Sequence, residues 1–459
     1  MKVLKFGGTS VGTVGSLTNV KKIVESIDEP CVVVVSALGG LTDKLIANAR
    51  LAAQGDPSYA EEMGKIGVRH FDIISAMVPQ DRREAVNDEV GALLSQLARI
   101  YDGLALIGDL PARTLDVVVS FGERMSSVIV TAIIEGACRH DSMEFVKTER
   151  WFDKDIADSE LTSRLIREEF GRTGVRREIV PGFISTDRDS GEITNLGRGG
   201  SDFTAALIAA ALDADILEIW TDVDGFMTAD PRVIPTARII DRMSFVESME
   251  LCSYGAKVIY PPTIYPVFHK NIPIRILNTF NPTAPGTVVA DLPDRDSSEP
   301  CGISSMKNTS LFTVRGPLSE NVAAINTRTY NALARRGISV LLVARRDDEI
   351  SFSFVLSATD APEARRVLAE EFAPEISEGC IESIEERDSL ATIAIVGDNL
   401  RANKGLDSRV SHTLARGGVD VLASASGSSA TTIAIVVRLD DLQESMRLVH
   451  SLLFDRNEC

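Results

Sequence analysis

The residues with the clearest chemical potential lie in the stretch "LGRGGSDFTAALIAAAL", residues 196–212. Three glycines directly precede a run of mostly apolar residues, which predicts an open turn at the start of a buried helix. Free N–H groups at such a start, together with the helix dipole, favour a bound anion. Arg198 stands in this turn, and its guanidinium suits a carboxylate. Ser201 or Asp202 is expected to cap the helix.

Two further glycine-rich stretches follow predicted strands. In "KFGGTS", Lys5 ends the strand, and Gly7 and Gly8 would let backbone N–H groups approach a ligand. In "SALGGLTDKL", Ser36 and Thr42 occupy the same kind of position after the next strand. The carboxyl ends of strands are where open α/β sheets bind ligands. A solvated lysine, and ordinary turn or helix-cap chemistry for the two hydroxyls, are the alternatives.

A single acidic residue interrupts an apolar stretch at "SFGER". An ionised Glu123 in such surroundings needs a cation or an amine as a partner. That partner is either a bound ligand or the neighbouring Arg124, and the sequence leaves both open.

Polar loops follow two later segments. "WTDVDGFMTADPR", residues 220–232, could hold a nucleobase and ribose through Thr221 and Asp222, although simple turn punctuation explains the composition nearly as well. "SYGAKV" adds Lys257 as a second candidate phosphate cation. The GxxxxGK[ST] loop and a GxGxxG fingerprint opening a βαβ unit are both absent, so phosphoryl transfer is indicated only by these clusters taken together.

The elements that must position these residues read as a parallel α/β domain over residues 1–290. "KVLKF" and the β-branched run "CVVVVSA" are strands on either side of a helical stretch. Residues 41–109 read as helical, and a further helix over 114–137 is predicted to be interrupted near Ser120 to Glu123. Strands return at "EIVPGFIS", "ILEIWTD" and "IPIRILNT". We expect an open, mainly parallel sheet sandwiched by helices.

A repeat marks the C-terminal third, beyond a Pro- and Asp-rich stretch near residues 285–302. Similar helix–turn–strand–loop–strand patterns begin at Leu333 and Leu414, each after a strand and before a helix. This order is ferredoxin-like. It predicts two small α+β modules over residues 303–380 and 388–459, with residues 440–459 a candidate to complete the first module.

Composition excludes several classes of partner. The 459 residues carry a formal charge of −18, which disfavours nucleic acid and anionic membranes. Six scattered cysteines without a CxxC pair are typical of reduced thiols. The N-terminus lacks the apolar core of a signal peptide, and the apolar runs look too short to span a bilayer. We therefore expect a cytoplasmic protein.

The ordered motifs "KFGGTS", "GRGGSDFTA", "WTDVDG…DPR" and "YGAKV" resemble those of the aspartate kinases of the amino-acid kinase superfamily. This resemblance covers the whole chain and implies the amino-acid kinase fold followed by two regulatory ACT modules. It also implies transfer of the ATP γ-phosphoryl group to the side-chain carboxylate of L-aspartate, giving 4-phospho-L-aspartate. In the family this step leads to lysine, threonine and methionine, and Mg²⁺ bridges the ATP phosphates.

Roles for individual residues follow from the same resemblance. Lys5 and Asp202 would be catalytic, with Arg198 on the α-carboxylate of aspartate and Glu123 on its ammonium group. The remaining substrate-binding residues would be Ser36, Thr42 and Ser201. The residues implied to contact ATP are Lys5, Gly7, Gly8, Thr221, Asp222, Met227, Arg232 and Lys257. No metal ligated by the protein alone is expected.

Three positions depart from the family pattern. Met227 stands where relatives often carry tyrosine, and a thioether can still pack on a purine face. Arg345 and Ser426 stand where threonine-responsive relatives carry an effector-contacting glutamine. An amino-acid effector, lysine or threonine, and a homodimer or larger assembly through the ACT modules are implied. The rival interpretations are a catalytically silent amino-acid sensor and a kinase for another small amino acid.

Overall fold

The computed structural model describes residues 1–151, 154–171, 175–291, 298–315, 322–345, 351–426 and 431–455. These residues form two compact units. The first unit comprises Met1–Phe226, Asp241–Phe245 and Val258–Leu292, and the second comprises Met227–Ile240, Val246–Lys257 and Pro293–Cys459.

Eighteen strands are present in the described part of the chain. They are β1 (Lys2–Phe6), β2 (Cys31–Val35), β3 (Ala137–Arg139), β4 (Lys147–Trp151), β5 (Lys154–Ala157), β6 (Arg177–Pro181), β7 (Ile184–Asp187), β8 (Ile193–Asn195), β9 (Ile216–Thr221), β10 (Arg242–Met243), β11 (Ile274–Asn278), β12 (Thr287–Val289), β13 (Gly302–Arg315), β14 (Leu342–Arg345), β15 (Ser351–Ser357), β16 (Ser383–Val396), β17 (Ala423–Ser426) and β18 (Thr432–Arg438).

Sixteen α-helices accompany them in the same residues. They are α1 (Gly8–Val11), α2 (Val14–Glu25), α3 (Leu41–Ala53), α4 (Ser58–Met77), α5 (Arg83–Ile107), α6 (Ala112–Ile133), α7 (Ser142–Phe145), α8 (Ser159–Phe170), α9 (Gly200–Ala211), α10 (Phe245–Ser253), α11 (Ile264–Phe268), α12 (Val322–Ala334), α13 (Ala361–Glu371), α14 (Ala373–Ser377), α15 (Leu406–Arg416) and α16 (Leu442–Phe454).

An eight-stranded sheet forms the centre of the first unit, in the order β10-β12-β11-β9-β1-β2-β6-β3. All neighbours are parallel except β11 and β12. A smaller sheet, in the order β5-β4-β7-β8, lies in the same unit. Every residue of β2 is buried, as expected for a β-branched strand inside a parallel sheet. The predicted sheet class is confirmed.

Helix α6 is continuous, so the predicted interruption near Ser120 is wrong. The Ser120 hydroxyl donates to the carbonyl of Val117 within the helix, so its polar group needs no break. Gly122 lies against the turn after β2, because a Cβ built on it would be 2.7 Å from the Cβ of Ala37. The glycine thus allows close packing of helix and turn.

Helix α5 is long and apolar enough to cross a membrane by length and composition, contrary to our expectation of short apolar runs. Its residues Val90, Leu97 and Tyr101 are nevertheless buried in the main hydrophobic core of the first unit. The helix is a core element here.

The second unit contains a six-stranded sheet in the order β14-β15-β13-β16-β18-β17. Strands β13 and β16 run through both halves of this sheet. The second part of β13 pairs with β15, whereas residues 302–307 pair with the second part of β16, which also pairs with β18. Each half therefore has the ferredoxin-like order predicted from the repeat.

The described part of the tail packs in the second half of that sheet. Helix α16 contacts α15, β16 and β18, and its Met446 and Val449 share a core with Ile393. The expectation that residues 440–459 complete the first module is therefore wrong. The first part of β13 instead supplies a strand to the second module, because 14 residues of extended chain reach both halves.

Residues 227–240 and 246–257 fall in the second unit, although the sequence places them in a catalytic domain of 1–290. Apolar burial explains this correction. Ala229 and Ile234 are buried with Ile433, and the Thr228 carbonyl accepts a hydrogen bond from the N–H of Ile303. These segments therefore belong to the core of the second unit.

Candidate active site

A cleft of about 340 Å³ lies in the first unit, where the turns after β1 and β2 meet the start of α9. This cleft lies at the carboxyl ends of the strands, which is where open parallel α/β sheets bind ligands. The lining residues are Lys5, Gly8, Ser36, Ala37, Leu38, Gly39, Gly40, Thr42, Asp43, Glu123, Phe183, Gly197, Arg198, Gly199, Gly200, Ser201 and Asp202. Eight of the predicted site residues are in this list.

The turns after β1 and β2 touch each other through glycine backbone. A Cβ built on Gly39 would lie 3.0 Å from the carbonyl oxygen of Gly8, and one built on Gly8 would lie 3.0 Å from that of Ala37. Side chains at these positions would push the turns apart. The glycines therefore serve this contact as well as any ligand.

Gly7 does not offer its N–H to the cleft. That N–H donates to the carbonyl of Trp220 at 3.1 Å, and the Gly7 carbonyl accepts from Ser10. Gly8 lines the cleft, whereas the N–H of Gly7 is already bonded, and contact of either residue with ATP stays a prediction. Gly7 instead joins the turn after β1 to the end of β9.

Lys5 and Asp202 form an ion pair inside the cleft. The Lys5 Nζ lies 2.6 Å from Oδ1 of Asp202, and both side chains are largely buried. Lys5 comes from the end of β1 and Asp202 from the first turn of α9. A cation held in place by a carboxylate is available to a phosphoryl group without reorganising.

The start of α9 differs from the prediction at its cap. Gly199, in the left-handed conformation with φ of 70°, is the N-cap residue, and no side chain caps the helix. Ser201 and Asp202 lie in the first turn instead. A Cβ on Gly182 would lie 2.7 Å from that of Ser201, so a glycine turn brings this helix start against the sheet.

Glu123 is 4 % exposed, and its Oε2 has no hydrogen-bond partner among the described residues. Burial raises the pKa of its carboxyl to about 8, against smaller opposing effects of backbone N–H groups and Lys5. The alternative partner Arg124 lies over the ring of Phe121 instead, at 4.7 Å from its centroid. Glu123 is therefore a buried acid on the wall of the cleft, and its Oε2 has no partner among the described residues.

The remaining predicted substrate residues also line the cleft. Arg198 is exposed in the turn before α9, while Ser201 is buried and Ser36 and Thr42 are partly buried. The carboxylate and the guanidinium thus belong to one cavity, with hydroxyl groups on its wall. Such a cavity presents both signs of charge to a small zwitterionic ligand.

The predicted nucleotide residues are divided between the units. Thr221 ends β9 beside β1, and its hydroxyl donates to the Asp222 carboxylate at 3.3 Å. Met227, Arg232 and Lys257 lie in the second unit. Their contact with ATP stays a prediction.

The guanidinium of Arg232 already has a partner. It is held by the Asp230 carboxylate through Nε and Nη2, at 3.0 and 2.8 Å. Its side chain is nevertheless 84 % exposed.

Phe183 and Asp43 are two of the lining residues to which sequence reasoning gave no role. Phe183 has a positive φ of 70°, and its neighbour Gly182 packs on α9. The "PGF" after a strand was the available signal for a special turn. Asp43 follows Thr42 in the first turn of α3, where an acid is also ordinary helix chemistry.

No group of three or more His, Cys, Asp or Glu side chains in the described ranges could hold a metal ion by itself. Mg²⁺ is usually bound by one or two carboxylates together with substrate phosphates. Asp202 and Asp43, which both line the cleft, fit that limited role. The side chains of Arg345 and Ser426, the two positions predicted to bear on effector binding, lie outside the described residues.

A family model for the amino acid kinase family matches residues 1–278, more than half of the chain. The chain belongs to the amino acid kinase family. A model for an ACT domain matches residues 393–453, within the second unit. The expected resemblance, fold class and regulatory domain type are confirmed.

Relatives and solved structures of this amino acid kinase are named aspartokinases. A bifunctional aspartokinase/homoserine dehydrogenase of Haemophilus influenzae is 32 % identical over all of this chain and 57 % of its own length. The chloroplastic aspartokinase 3 of Arabidopsis thaliana is 27 % identical over all of this chain and 82 % of its own.

Among solved structures, Escherichia coli aspartokinase III with aspartate and ADP gives a TM-score of 0.85 at 28 % identity, covering 99 % of this chain and 100 % of that one. The same enzyme with lysine and aspartate gives a TM-score of 0.76 at 28 % identity, covering 99 % of both chains. This chain spans 50–57 % of the length of the bifunctional relatives of Haemophilus, Buchnera and Arabidopsis that it matches.

Proposed function

We propose that the protein is an aspartate kinase, which transfers the γ-phosphoryl group of ATP to the side-chain carboxylate of L-aspartate. The observation that carries this proposal is the cleft that holds the Lys5–Asp202 pair, the unpartnered Glu123 and the guanidinium of Arg198. The names of the relatives, and the aspartate and ADP bound to Escherichia coli aspartokinase III, support it.

The two charged groups of an α-amino acid match this cleft. The substrate ammonium would donate to Glu123, satisfying the buried Oε2 and stabilising the ionised carboxylate. Arg198 would bind the α-carboxylate through two parallel N–H bonds. With both ends fixed, the side-chain carboxylate is left for Ser36, Thr42 and the phosphoryl group.

The transfer itself asks little covalent chemistry of the protein. A side-chain carboxylate oxygen of aspartate attacks the γ-phosphorus, and the bond from phosphorus to the β,γ-bridging oxygen breaks. ADP leaves with that electron pair, and the product is the acyl phosphate 4-phospho-L-aspartate. The attacking carboxylate is already ionised, so no proton has to be removed. Lys5 would stabilise the charge on the transferring group, and Asp202 holds the lysine in place.

ATP and Mg²⁺ complete the proposed site. Thr221 and Asp222 stand at the end of β9, next to the turn that carries Gly8, and would contact the nucleotide. Met227, Arg232 and Lys257 remain candidates for nucleotide contact. Asp202 would hold Mg²⁺ together with the phosphates, where the ion neutralises charge on the phosphoryl oxygens.

We further propose that the ACT modules make the activity sensitive to an amino acid, lysine or threonine, and that the protein assembles as a homodimer or larger homo-oligomer. The ACT match and the lysine bound to Escherichia coli aspartokinase III support this. Placement in lysine, threonine and methionine biosynthesis, as a cytoplasmic enzyme, goes with the activity. Titrating lysine and threonine into the assay would identify an effector.

The activity is tested by measuring ADP release with ATP, Mg²⁺ and L-aspartate, with hydroxylamine present to trap the acyl phosphate as a hydroxamate. We expect hydroxamate and ADP in equal amounts, and far less of either with L-glutamate. ADP without hydroxamate would indicate ATP hydrolysis only. Binding of aspartate without any turnover would favour the silent sensor and overturn the proposal.

A further inference from the structure

One arginine outside every motif of the site bridges the two glycine turns. Arg69 lies on α4, and its guanidinium is partly buried. Its Nη1 donates to the carbonyl of Gly39 at 2.9 Å, and its Nη2 donates to the carbonyl of Gly12 at 3.0 Å. One carbonyl belongs to the turn after β2, and the other ends the short helix after β1.

This guanidinium has no carboxylate partner in the described part of the chain. Burial lowers the pKa of Arg69, and no acidic residue contributes to that shift. Even partial burial of a cation whose protein partners are two carbonyl oxygens costs more free energy than burial of a neutral group of the same size. The rigid fork of an arginine does, however, hold two acceptors at a fixed spacing.

The two turns follow paired strands, and the Ser36 N–H donates to the Phe6 carbonyl where the turns begin. Their contact consists of backbone atoms, with a Cβ on Gly12 lying 2.9 Å from the Gly8 carbonyl oxygen and 3.2 Å from the N of Gly39. No side chain from these glycines interlocks the turns. Beyond the paired strands, the two hydrogen bonds of Arg69 therefore add a side-chain link between the segments on either side of this glycine contact.

Each of the two turns is assigned to a different reactant of the proposed transfer. The turn after β1 follows Lys5 and contains Gly8, on the phosphoryl side. The turn after β2 begins with Ser36 and leads into Thr42, on the side of the acceptor carboxylate. Transfer requires donor and acceptor atoms within about 3–3.5 Å of each other, and a misplacement of about 1 Å can cost about a hundredfold in rate.

We propose that Arg69 is a positioning residue that sets the spacing between the phosphoryl-side and acceptor-side turns. The role rests on the proposed kinase activity, since it assigns each turn to one reactant. Arg69 is not among the residues that line the cleft. Its loss therefore acts on the alignment of two bound substrates more than on the binding of either.

The test compares Arg69→Gln with Arg177→Gln. Arg177 also bridges two carbonyls of separate segments, those of Glu135 and Glu25 at 3.1 Å each, but it lies at the amino end of β6. We expect Arg69→Gln to lower kcat about tenfold to a hundredfold, with the Kd for aspartate changed by less than about threefold. Arg177→Gln should leave both near the wild-type values.

Two rescue measurements separate positioning from general stability. Arg69→Lys should recover part of the lost kcat, because an ammonium group keeps the charge but not the fork. Millimolar guanidinium should raise the rate of Arg69→Ala in a saturable manner, whereas an equal concentration of sodium chloride should not. A folded Arg69→Gln protein with the wild-type kcat, or equal losses in Arg69→Gln and Arg177→Gln, would overturn the proposal.

Amide hydrogen exchange tests whether Arg69 holds the two turns together, and this measurement does not depend on turnover. Residues 7–13 and 37–42 should exchange faster in Arg69→Gln than in the wild type, and should be unaffected in Arg177→Gln. If exchange in both turns is the same in Arg69→Gln as in the wild type, the proposed role of Arg69 is contradicted. If the wild-type protein shows no aspartate-dependent turnover, the proposed function fails by itself, and the exchange comparison still decides whether Arg69 holds the turns.

Discussion

The Nζ of Lys5 and Oδ1 of Asp202 lie 2.6 Å apart, joining the end of the central strand β1 to the first turn of α9. Both side chains are largely buried at the edge of a cleft, so each charge needs a partner. A lysine held by a carboxylate keeps its direction. This pair thus connects the fold of the first unit to the proposed phosphoryl transfer.

Lys5→Ala is expected to lower kcat by about two to three orders of magnitude, because it removes a preorganised donor to the transferring phosphoryl group. Steady-state kinetics at saturating ATP and aspartate measure this. Lys2→Ala is the matched control, since Lys2 lies on the same strand but its Nζ contacts Glu218. Loss of activity in both variants to the same extent would refute the role of Lys5.

Arg198→Ala is expected to raise the KM for aspartate about tenfold to a hundredfold with little change in kcat. The lost contact to the α-carboxylate is equally strong in the ground and transition states. The side chain is exposed, so stability should not change. Arg50→Ala, an exposed position on α3, serves as the control. A fall in kcat with an unchanged KM would contradict the assignment.

The raised pKa of Glu123 predicts that its contribution to the stability of the folded protein falls as the pH rises. The carboxyl loses its proton near pH 4.5 in the unfolded chain, but near pH 8 in the folded protein. Between these values the folded state binds more protons, so the contribution of Glu123 to stability falls as the pH rises. Glu123→Gln should therefore gain thermal stability over the wild type at pH 8.5, and this gain should vanish towards pH 4.5.

The same carboxyl predicts how aspartate binding depends on pH. The substrate ammonium binds the ionised form, so the Kd for aspartate should fall as the pH rises from 6 to about 8. Calorimetric titration at several pH values measures this and should also detect proton release. Glu123→Gln should bind weakly with no such trend. A wild-type Kd that is flat over this range would argue against an ammonium contact.

Two glycines inside helices predict opposite effects of one substitution. Gly122→Ala should destabilise the protein by about 1–3 kcal/mol, because its Cβ would lie 2.7 Å from that of Ala37. Gly91→Ala on α5 meets nothing within 4 Å and should stabilise the protein by about 0.5–1 kcal/mol. Denaturant unfolding of both variants checks this. Equal effects would mean that helix propensity alone governs both sites.

Local sequence determined the strands, the glycine turns and the residue types of the cleft. The run at 2–6 is mostly apolar and is followed directly by two glycines, and the run at 31–35 is rich in valine, so neighbouring residues were enough to predict both strands. The repeat in the C-terminal third likewise predicted two ferredoxin-like modules. The order of motifs was enough to indicate the family.

Contacts between residues distant in the chain determined the partners of individual groups, which those local patterns left open. The partner of Glu123 was open in sequence, and only the structure placed Arg124 on Phe121 and left the carboxylate in the cleft. The Gly7 N–H donates to the Trp220 carbonyl because β1 and β9 are neighbours in the sheet. Arg69 carried no signal at all, since carbonyl oxygens distant in the chain have no side-chain signature. Such contacts form only when the sheet has assembled, because burial and hydrogen bonding then select one partner among many that the sequence permits.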